Sequence, residues 1–225
     1  MKENRTVNVR MIAVLGVFAA IAYALTFVSR FLPPLIPAVP FLKYDPKDFI
    51  IAIAGFMFGP LPALAVIVIV SLIEMITVSG TGFIGLIMNI LSSAAFVMPA
   101  ALIYRYKRTI GGAITGLLAG TVTMIGVMLL WNYIITPIYM QYPREAVKAL
   151  LLPAFLPFNA IKAAVNMALT LLLYKPLVMA LKKAQVLPPS NGQNYRGGRT
   201  VSAILFALVL LVTAALLILI FNSVI

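Results

Sequence analysis

Long apolar stretches recur along this chain from Met11 to Phe221, and charge is largely confined to the segments between them. That pattern narrows the fold before any motif is considered. A helical apolar run of about 20 residues matches the hydrocarbon thickness of a bilayer. Lipid offers no hydrogen bonds, so each run must satisfy its own backbone, which a helix does. Of the 225 residues, 63% are hydrophobic and 10% charged, against about 45–50% and 25% in soluble domains. So little polar surface cannot cover a water-exposed globule, and a soluble enzyme is excluded. The expected class is an all-α integral membrane protein.

The chain has no cysteine and no histidine. Disulfides, Cys/His zinc sites, haem ligation by those residues, Cys nucleophiles and Ser-His-Asp triads are thereby excluded. The five acids, Glu3, Asp45, Asp48, Glu74 and Glu145, make a carboxylate metal cage unexpected. The net charge of +12 reads as cationic loops against anionic headgroups, not as a nucleic-acid surface.

Helix one is expected over about Met11–Val28, after a basic segment. Its apolar run exceeds the 7–15 residues or so of a signal peptide, so it is kept as a span. The loop Arg30–Asp48 carries Pro33, Pro34, Pro37, Pro40 and Pro46 and cannot be helical throughout. Pro46 followed by Asp48 suits a helix start. Gly59-Pro60-Leu61-Pro62 divides a short helix two, about Pro46–Phe58, from helix three, about Leu61–Val78. Helix two reaches only about 20 Å at 1.5 Å per residue, so it must be shielded by protein or lie where the membrane thins. Helix four follows at about Phe83–Tyr104, helix five at Gly111–Tyr133 and helix six at Leu156–Leu181. The polar stretch Pro188–Arg199 precedes helix seven, Thr200–Phe221. The chain thus divides into a membrane domain over 1–183, a polar cytoplasmic linker over 184–199 and an additional C-terminal transmembrane helix over 200–225.

Two ionisable residues fall inside these spans, Glu74 in helix three and Lys162 in helix six, and such groups are functional candidates by default. Asn159, Lys162 and Asn166 share one helical stripe. Asn89, Ser92 and Ser93 do the same on helix four, and Asn132 ends helix five beside Trp131. Glu74, Asn132, Asn159 and Lys162 lie toward the outer halves of their spans, where they can converge on a pocket open to the outside. Such a pocket suits a neutral or weakly charged ligand with an apolar body and several hydroxyls or carbonyls. The competing reading is a helix-packing network built on a Glu74–Lys162 pair. Gly80-Thr81-Gly82-Phe83-Ile84-Gly85 matches G-x-G-x-x-G, but it follows a membrane helix instead of a strand, so it reads as a tight outer turn. No G-x-x-x-x-G-K-[ST] occurs, and the chain cannot hydrolyse ATP by a P-loop. Gly16, Ala20 and Ala24 form a small-residue ridge that either packs within the bundle or docks another membrane protein.

Four segments together resemble the riboflavin-specific S components (the RibU type) of energy-coupling factor (ECF) transporters. They are Leu42–Asp48 (LKYDPKD), Gly55–Pro60 (GFMFGP), Gly80–Asn89 (GTGFIGLIMN) and Asn159–Asn166 (NAIKAAVN). The resemblance covers about residues 8–183. It implies a six-helix ECF S-component-like bundle that captures riboflavin from outside. It also implies docking on one membrane T subunit and two ABC-type ATPases, whose ATP hydrolysis topples the bundle inward. No resident cofactor is implied; riboflavin is the transported ligand. On this resemblance Asn159 and Lys162 match the helix-six site and Asn132 and Glu74 match other polar contacts; Asn89 and Asn166, on the same polar stripes, are counted with them as substrate-binding. Phe41 and Leu42 would cover the pocket, and Gly16, Ala20 and Ala24 would dock on the T subunit. Helix seven and its linker depart from the six-helix core.

Three alternatives stay open. One is an S component for a different vitamin. Another is an intramembrane enzyme using Glu74 and Lys162 as acid and base. The third is a secondary transporter, for which the single break at Gly59–Pro62 lacks the second copy that inverted repeats would supply.

Orientation follows from Lys and Arg. With the N-terminus in the cytoplasm, the inner segments hold Lys2, Arg5, Arg10, Arg105, Lys107, Arg108, Lys175, Lys182, Lys183, Arg196 and Arg199. The outer ones hold Arg30, Lys43, Lys47, Arg144 and Lys148, so eleven cations face five. This bias favours a multi-pass plasma-membrane protein with its N-terminus inside, its C-terminus outside and seven helices. A reporter fused after Ile225 should behave as exported, and one inserted in Pro188–Arg199 as cytoplasmic. Two cytoplasmic readings would mean that helix seven does not span.

Overall fold

The computed structural model describes residues 9–36, 39, 42–183 and 197–221. Helices account for nearly all of it, and there is no strand among the described residues. They are α1 (Val9–Ser29), α2 (Lys47–Phe58), α3 (Pro60–Thr77), α4 (Gly82–Lys107), α5 (Ile110–Met140), α6 (Arg144–Leu150), α7 (Leu156–Lys183) and α8 (Gly197–Phe221). Helices one to five of the sequence reading are α1 to α5, helix six is α7 and helix seven is α8. Six helical segments are long and apolar enough to cross a membrane: α1, α3, α4, α5, Arg144–Leu181 and α8.

The 12-residue α2 is the exception, and it is shielded by protein. Every residue from Lys47 to Phe56 is buried, against α1, α3, α4 and α7. Pro46 precedes it and Asp48 occupies its first turn, where a negative charge meets the positive end of the helix dipole. Gly59 then takes φ +99°, a conformation open chiefly to glycine. Pro60 starts α3 at the position where its missing N–H costs nothing. The Gly80–Gly85 stretch is the turn into α4, with Gly82 at φ +54°.

Gly112, Gly116, Gly120, Met124, Met128, Asn132 and Thr136 lie along one buried stripe of α5. Its glycines let α5 pack directly on the α4 backbone. A Cβ at Gly120 would stand 2.1 Å from the Phe96 carbonyl oxygen, and one at Gly116 would stand 2.8 Å from that of Ala100.

Two expectations about the outer connection are corrected. Helix five was expected to end at Tyr133 with a loop over Ile134–Pro153. Instead α5 runs on to Met140, and Gln141 at φ +54° ends it. Helical structure resumes in α6 and passes through a π-helical turn, Leu151–Phe155, into α7. Prolines at 137 and 153 read as breaks in sequence. Here one sits inside a helix and the other inside a π-turn, where altered hydrogen-bond spacing absorbs the missing donor.

On α1, Val14, Phe18, Ala19 and Ala22 are buried, against α2 and α3. Gly16, Ala20 and Ala24 are exposed on the opposite side. A Cβ at Gly16 would meet nothing within 4 Å. The ridge therefore does not pack within the bundle among the described residues. The added α8 rests on α7 and α5 through Ala203, Ala207 and Ala214, away from α1.

The glycine stripe yields a sign test. Gly120→Ala should lower the melting temperature in detergent, by the equivalent of about 1–3 kcal/mol of overpacking. Gly126→Ala, where a Cβ meets open space, should be neutral or mildly stabilising, since alanine is favoured over glycine in helices by up to about 1 kcal/mol. Equal effects would remove the α4–α5 contact as the cause.

Candidate ligand-binding site

The loop after α1 descends between the helices, and its charges are buried with those of α2. Lys47 is fully buried. Its Nζ lies 2.6 Å from Glu74 Oε2 on α3 and 2.7 Å from Asp45 Oδ2. The Thr26 hydroxyl of α1 donates to Asp45 Oδ1 at 2.8 Å, and the Asn89 amide of α4 donates to Glu74 Oε2 at 2.9 Å. A second group lies alongside. Lys162 Nζ is 3.4 Å from Asp48 Oδ2 and 3.4 Å from Ser92 Oγ, and the Ser93 hydroxyl donates to Asp48 Oδ1. Asn166 joins the two groups. Its Oδ1 accepts the Phe49 N–H, and its amide donates to the Lys162 and Asp45 carbonyls.

This arrangement corrects one expectation and one competing reading. Lys47 was counted among the outer loop cations, yet it is buried, because α2 begins directly after Pro46 and its first turn is already inside the bundle. The competing packing reading paired Glu74 with Lys162; instead Glu74 pairs with Lys47, and Lys162 pairs with Asp48. The ionisable core comprises Asp45, Lys47, Asp48, Glu74 and Lys162, not two groups. The missed signal was the alternation of sign in Lys43-Tyr44-Asp45-Pro46-Lys47-Asp48 at the entrance to an apolar run.

Above this core lies a cavity of about 60 Å³. Its polar lining is Asn89 and Ser92 of α4, Asn132 of α5, Asn159 and Lys162 of α7, and Asp45, Arg30 and Lys43 of the loop. Leu42, Met88, Met128 and Phe158 supply the apolar part. Leu42 and Met88 also wall a second cavity of about 50 Å³, lined by Ile84, Trp131, Ile135, Tyr139 and Met140 among others. A polar chamber and an apolar, partly aromatic one thus share the side chains of Leu42 and Met88 as a common wall. A larger cavity of about 190 Å³ sits at the opposite ends of α4 and α5, beside Phe56, Tyr104, Tyr174 and Ala203 of α8. Its two tyrosine hydroxyls bond each other at 3.0 Å. Lys175 and Thr170 also line it, but no side-chain amide does, so it lacks the converging set of polar groups that specifies a polar ligand.

Of the residues singled out from sequence, Asn159, Lys162, Asn132, Asn89 and Leu42 meet at one cavity. Glu74 stands behind it and reaches it through Asn89. Asn166 is committed to backbone contacts and does not line it. Phe41 lies outside the described residues. Arg30, Lys43 and Asp45 line the cavity without having been singled out, because hydropathy marks them only as loop.

Hydrogen bonds set the polarity of this lining. The Asn159 amide donates to the Phe155 carbonyl, leaving its Oδ1 and one N–H for a ligand. Asn89 gives a donor to Glu74, so its Oδ1 remains. Asn132 donates to the Met128 carbonyl and accepts from Thr136, leaving one N–H and a lone pair of its oxygen. In the loop, burial pushes the Tyr44 phenol up, aided by the charges of Asp45 and Asp48. Burial opposes the Asp45 carboxylate, but Lys47 and Lys162, with hydrogen bonds from Lys47 and Thr26, hold its carboxyl below the usual range.

The description "ECF transporter, substrate-specific component" belongs to a family model that matches residues 10–174. The riboflavin transporter RibU of Staphylococcus aureus (strain TCH60) is 32% identical over 188 residues, covering 81% of this chain and 97% of that protein. The riboflavin transporter FmnP of Bacillus subtilis (strain 168) is 27% identical over 192 residues, covering 80% and 99%. A solved structure described as the S component of a bacterial ECF transporter aligns at TM-score 0.64 and 30% identity, over 77% of this chain and 98% of the other. The matched family region ends before α8. On these findings the chain belongs to the substrate-specific components of ECF transporters.

Proposed function

We propose that this membrane protein binds riboflavin from the outer face and releases it inward when docked on an ATP-driven ECF module. The single observation that carries the reading is the meeting of Asn89, Asn132, Asn159 and Lys162 at one cavity in a chain of this family. A flavin has carbonyls and ring nitrogens that accept, an imide N–H and ribityl hydroxyls that donate, and an apolar dimethylbenzene edge. The lining offers an ammonium and amide donors, the Asn89 and Asn159 oxygens as acceptors, and an apolar chamber beside Trp131. Relatives at 27–32% identity are named riboflavin transporters, which favours flavin over another vitamin. The family is a transport component, so the intramembrane enzyme and secondary transporter readings lose their support.

The proposed partners are a membrane T subunit and two ABC-type ATPases, since the chain has no P-loop of its own. The exposed ridge Gly16, Ala20 and Ala24 is the proposed docking face. The division into a 1–183 domain, a 184–199 linker and an added helix belongs to the same proposal, as does the N-inside, C-outside orientation.

Riboflavin fluorescence should be quenched saturably by the detergent-solubilised protein without ATP. No quenching, with tight binding of another vitamin, would overturn the flavin assignment. Lys162→Ala and Asn159→Ala should each weaken binding; a hydrogen bond to a charged group contributes about 1.5–3 kcal/mol, roughly tenfold or more in affinity. Unchanged affinity in folded Lys162→Ala would move the pocket elsewhere.

Docking is tested separately. Ala20→Trp should keep riboflavin binding but lose cellular uptake and co-purification with the T subunit, because helices meeting at small residues tolerate no large side chain. Normal uptake in this variant would reject the docking face.

A further inference from the structure

Lys162 lines the cavity, yet its side chain is buried and must be held by something other than water. An ammonium has three donors. Two are directed to the protein wall, toward Asp48 Oδ2 and Ser92 Oγ, each at 3.4 Å. Charge-assisted contacts at full strength run at about 2.7–2.9 Å, so both are loose. The ammonium is confined without being consumed, and its remaining donor is left for the cavity.

Asp48 differs from the other buried acids in the looseness of its ammonium contact, 3.4 Å, although Glu74 also keeps one oxygen, Oε1, without a hydrogen bond. Asp45 and Glu74 are engaged by Lys47 at 2.7 and 2.6 Å. Asp48 has one oxygen held by the Ser93 hydroxyl, and among the described residues no hydrogen bond reaches the other, Oδ2, which faces Lys162. It is fully buried at the start of α2. That position is itself anchored to α7, because Asn166 bonds both the Phe49 N–H and the Lys162 carbonyl.

We propose that Asp48 is a positioning residue for ligand binding. Held by Ser93, it acts as the counter-charge that aims the Lys162 ammonium into the cavity, and it does so without touching the ligand. The inference rests on the flavin reading and adds a residue that does not line the cavity at all. A carboxylate with one oxygen tied and one free can follow the ammonium over a short distance when a ligand acceptor draws it forward. A doubly tied carboxylate could not.

The rival role for Asp48 is purely structural, holding α2 to α4 through Ser93. Asp48→Asn separates the two, since asparagine keeps an oxygen for Ser93 and loses only the charge. Riboflavin Kd should be measured by fluorescence quenching for the wild type, Asp48→Asn, Lys162→Met and the double variant. Asp48→Asn should weaken binding by about tenfold, as for a hydrogen bond to a charged group. In the Lys162→Met background the same change should have no adverse effect, and it should aid folding, because Lys162→Met strands a buried carboxylate. Equal losses in both backgrounds would show that Asp48 acts independently of Lys162 and would overturn the proposal. Wild-type affinity in Asp48→Asn would overturn it too.

If Asp48→Asn does not yield folded protein, Ser93→Ala carries the same cycle. Releasing one carboxylate oxygen loosens the counter-charge without removing it, so the cost should be about threefold in affinity, smaller than for loss of the charge itself, and the loss should vanish with Lys162→Met. A loss that persists there would overturn the proposal. Absent quenching in the wild type would instead overturn the flavin reading, and this inference with it, so the two failures are told apart.

Discussion

A fully buried ammonium, Lys47, sits between two carboxylates, and much of the structure is arranged to make that possible. Taking an ion out of water costs several kcal/mol even after relaxation, and removing one partner of a buried pair costs about 3–5 kcal/mol. Lys47 therefore needs both Asp45 and Glu74 in place. Asp45 in turn takes a hydrogen bond from Thr26 of α1, and Glu74 takes one from Asn89 of α4. One charge thus gathers α1, the following loop, α2, α3 and α4 at a single depth.

The shortness of α2 brings this cluster to the polar cavity. A helix of 12 residues cannot cross the bilayer, so the loop preceding it must enter the bundle to meet it. Irregular backbone is tolerated at that depth only where protein or a cavity satisfies its polar groups. Asn166 supplies that satisfaction, accepting the Phe49 N–H and donating to the Asp45 carbonyl. Consequently loop residues as different as Leu42, Lys43 and Asp45 line a cavity otherwise built from helices. Lys43 adds an outer tie by donating to the Arg30 carbonyl at 3.1 Å.

The rest of the bundle brings the cavity walls together. The glycines of α5 bring its backbone against α4, so Asn89 and Asn132 face the same space from two helices with little room to shift. The π-turn before α7 changes helical phase just ahead of Asn159 and Lys162. The Asn159 amide bonds the carbonyl of Phe155, the last residue of that turn. Along the bundle, α8 packs on α7 and α5, from Ala203 at the larger cavity to Phe221 against the apolar cluster of Val39, Leu42 and Phe155, and it leaves the small-residue face of α1 uncovered among the described residues.

Much of this is legible in the residues alone, because lipid leaves few choices. Apolar runs must be helices, Gly59-Pro60 must break one, and a polar stripe such as Asn159, Lys162 and Asn166 must turn away from hydrocarbon. What the stripe does was not legible: Asn159 and Lys162 reach the cavity, whereas Asn166, one turn further, is spent on backbone. Spacing places residues on a face but not at a depth against a neighbouring helix. The ion pairing was hidden for a related reason. Lys47 reads as a loop cation because hydropathy averages over a window, and its burial depends on α1, α3, α4 and α7 closing around one turn of α2. Which acid meets which ammonium is a contest between nearby charges at low dielectric, settled by distances of a few ångströms. The sequence alone determined the main apolar helices, the membrane and the family, but not the extension of α5 to Met140 or the helical turns that follow it. Only tertiary packing decided that Glu74 holds Lys47 while Asp48 holds Lys162.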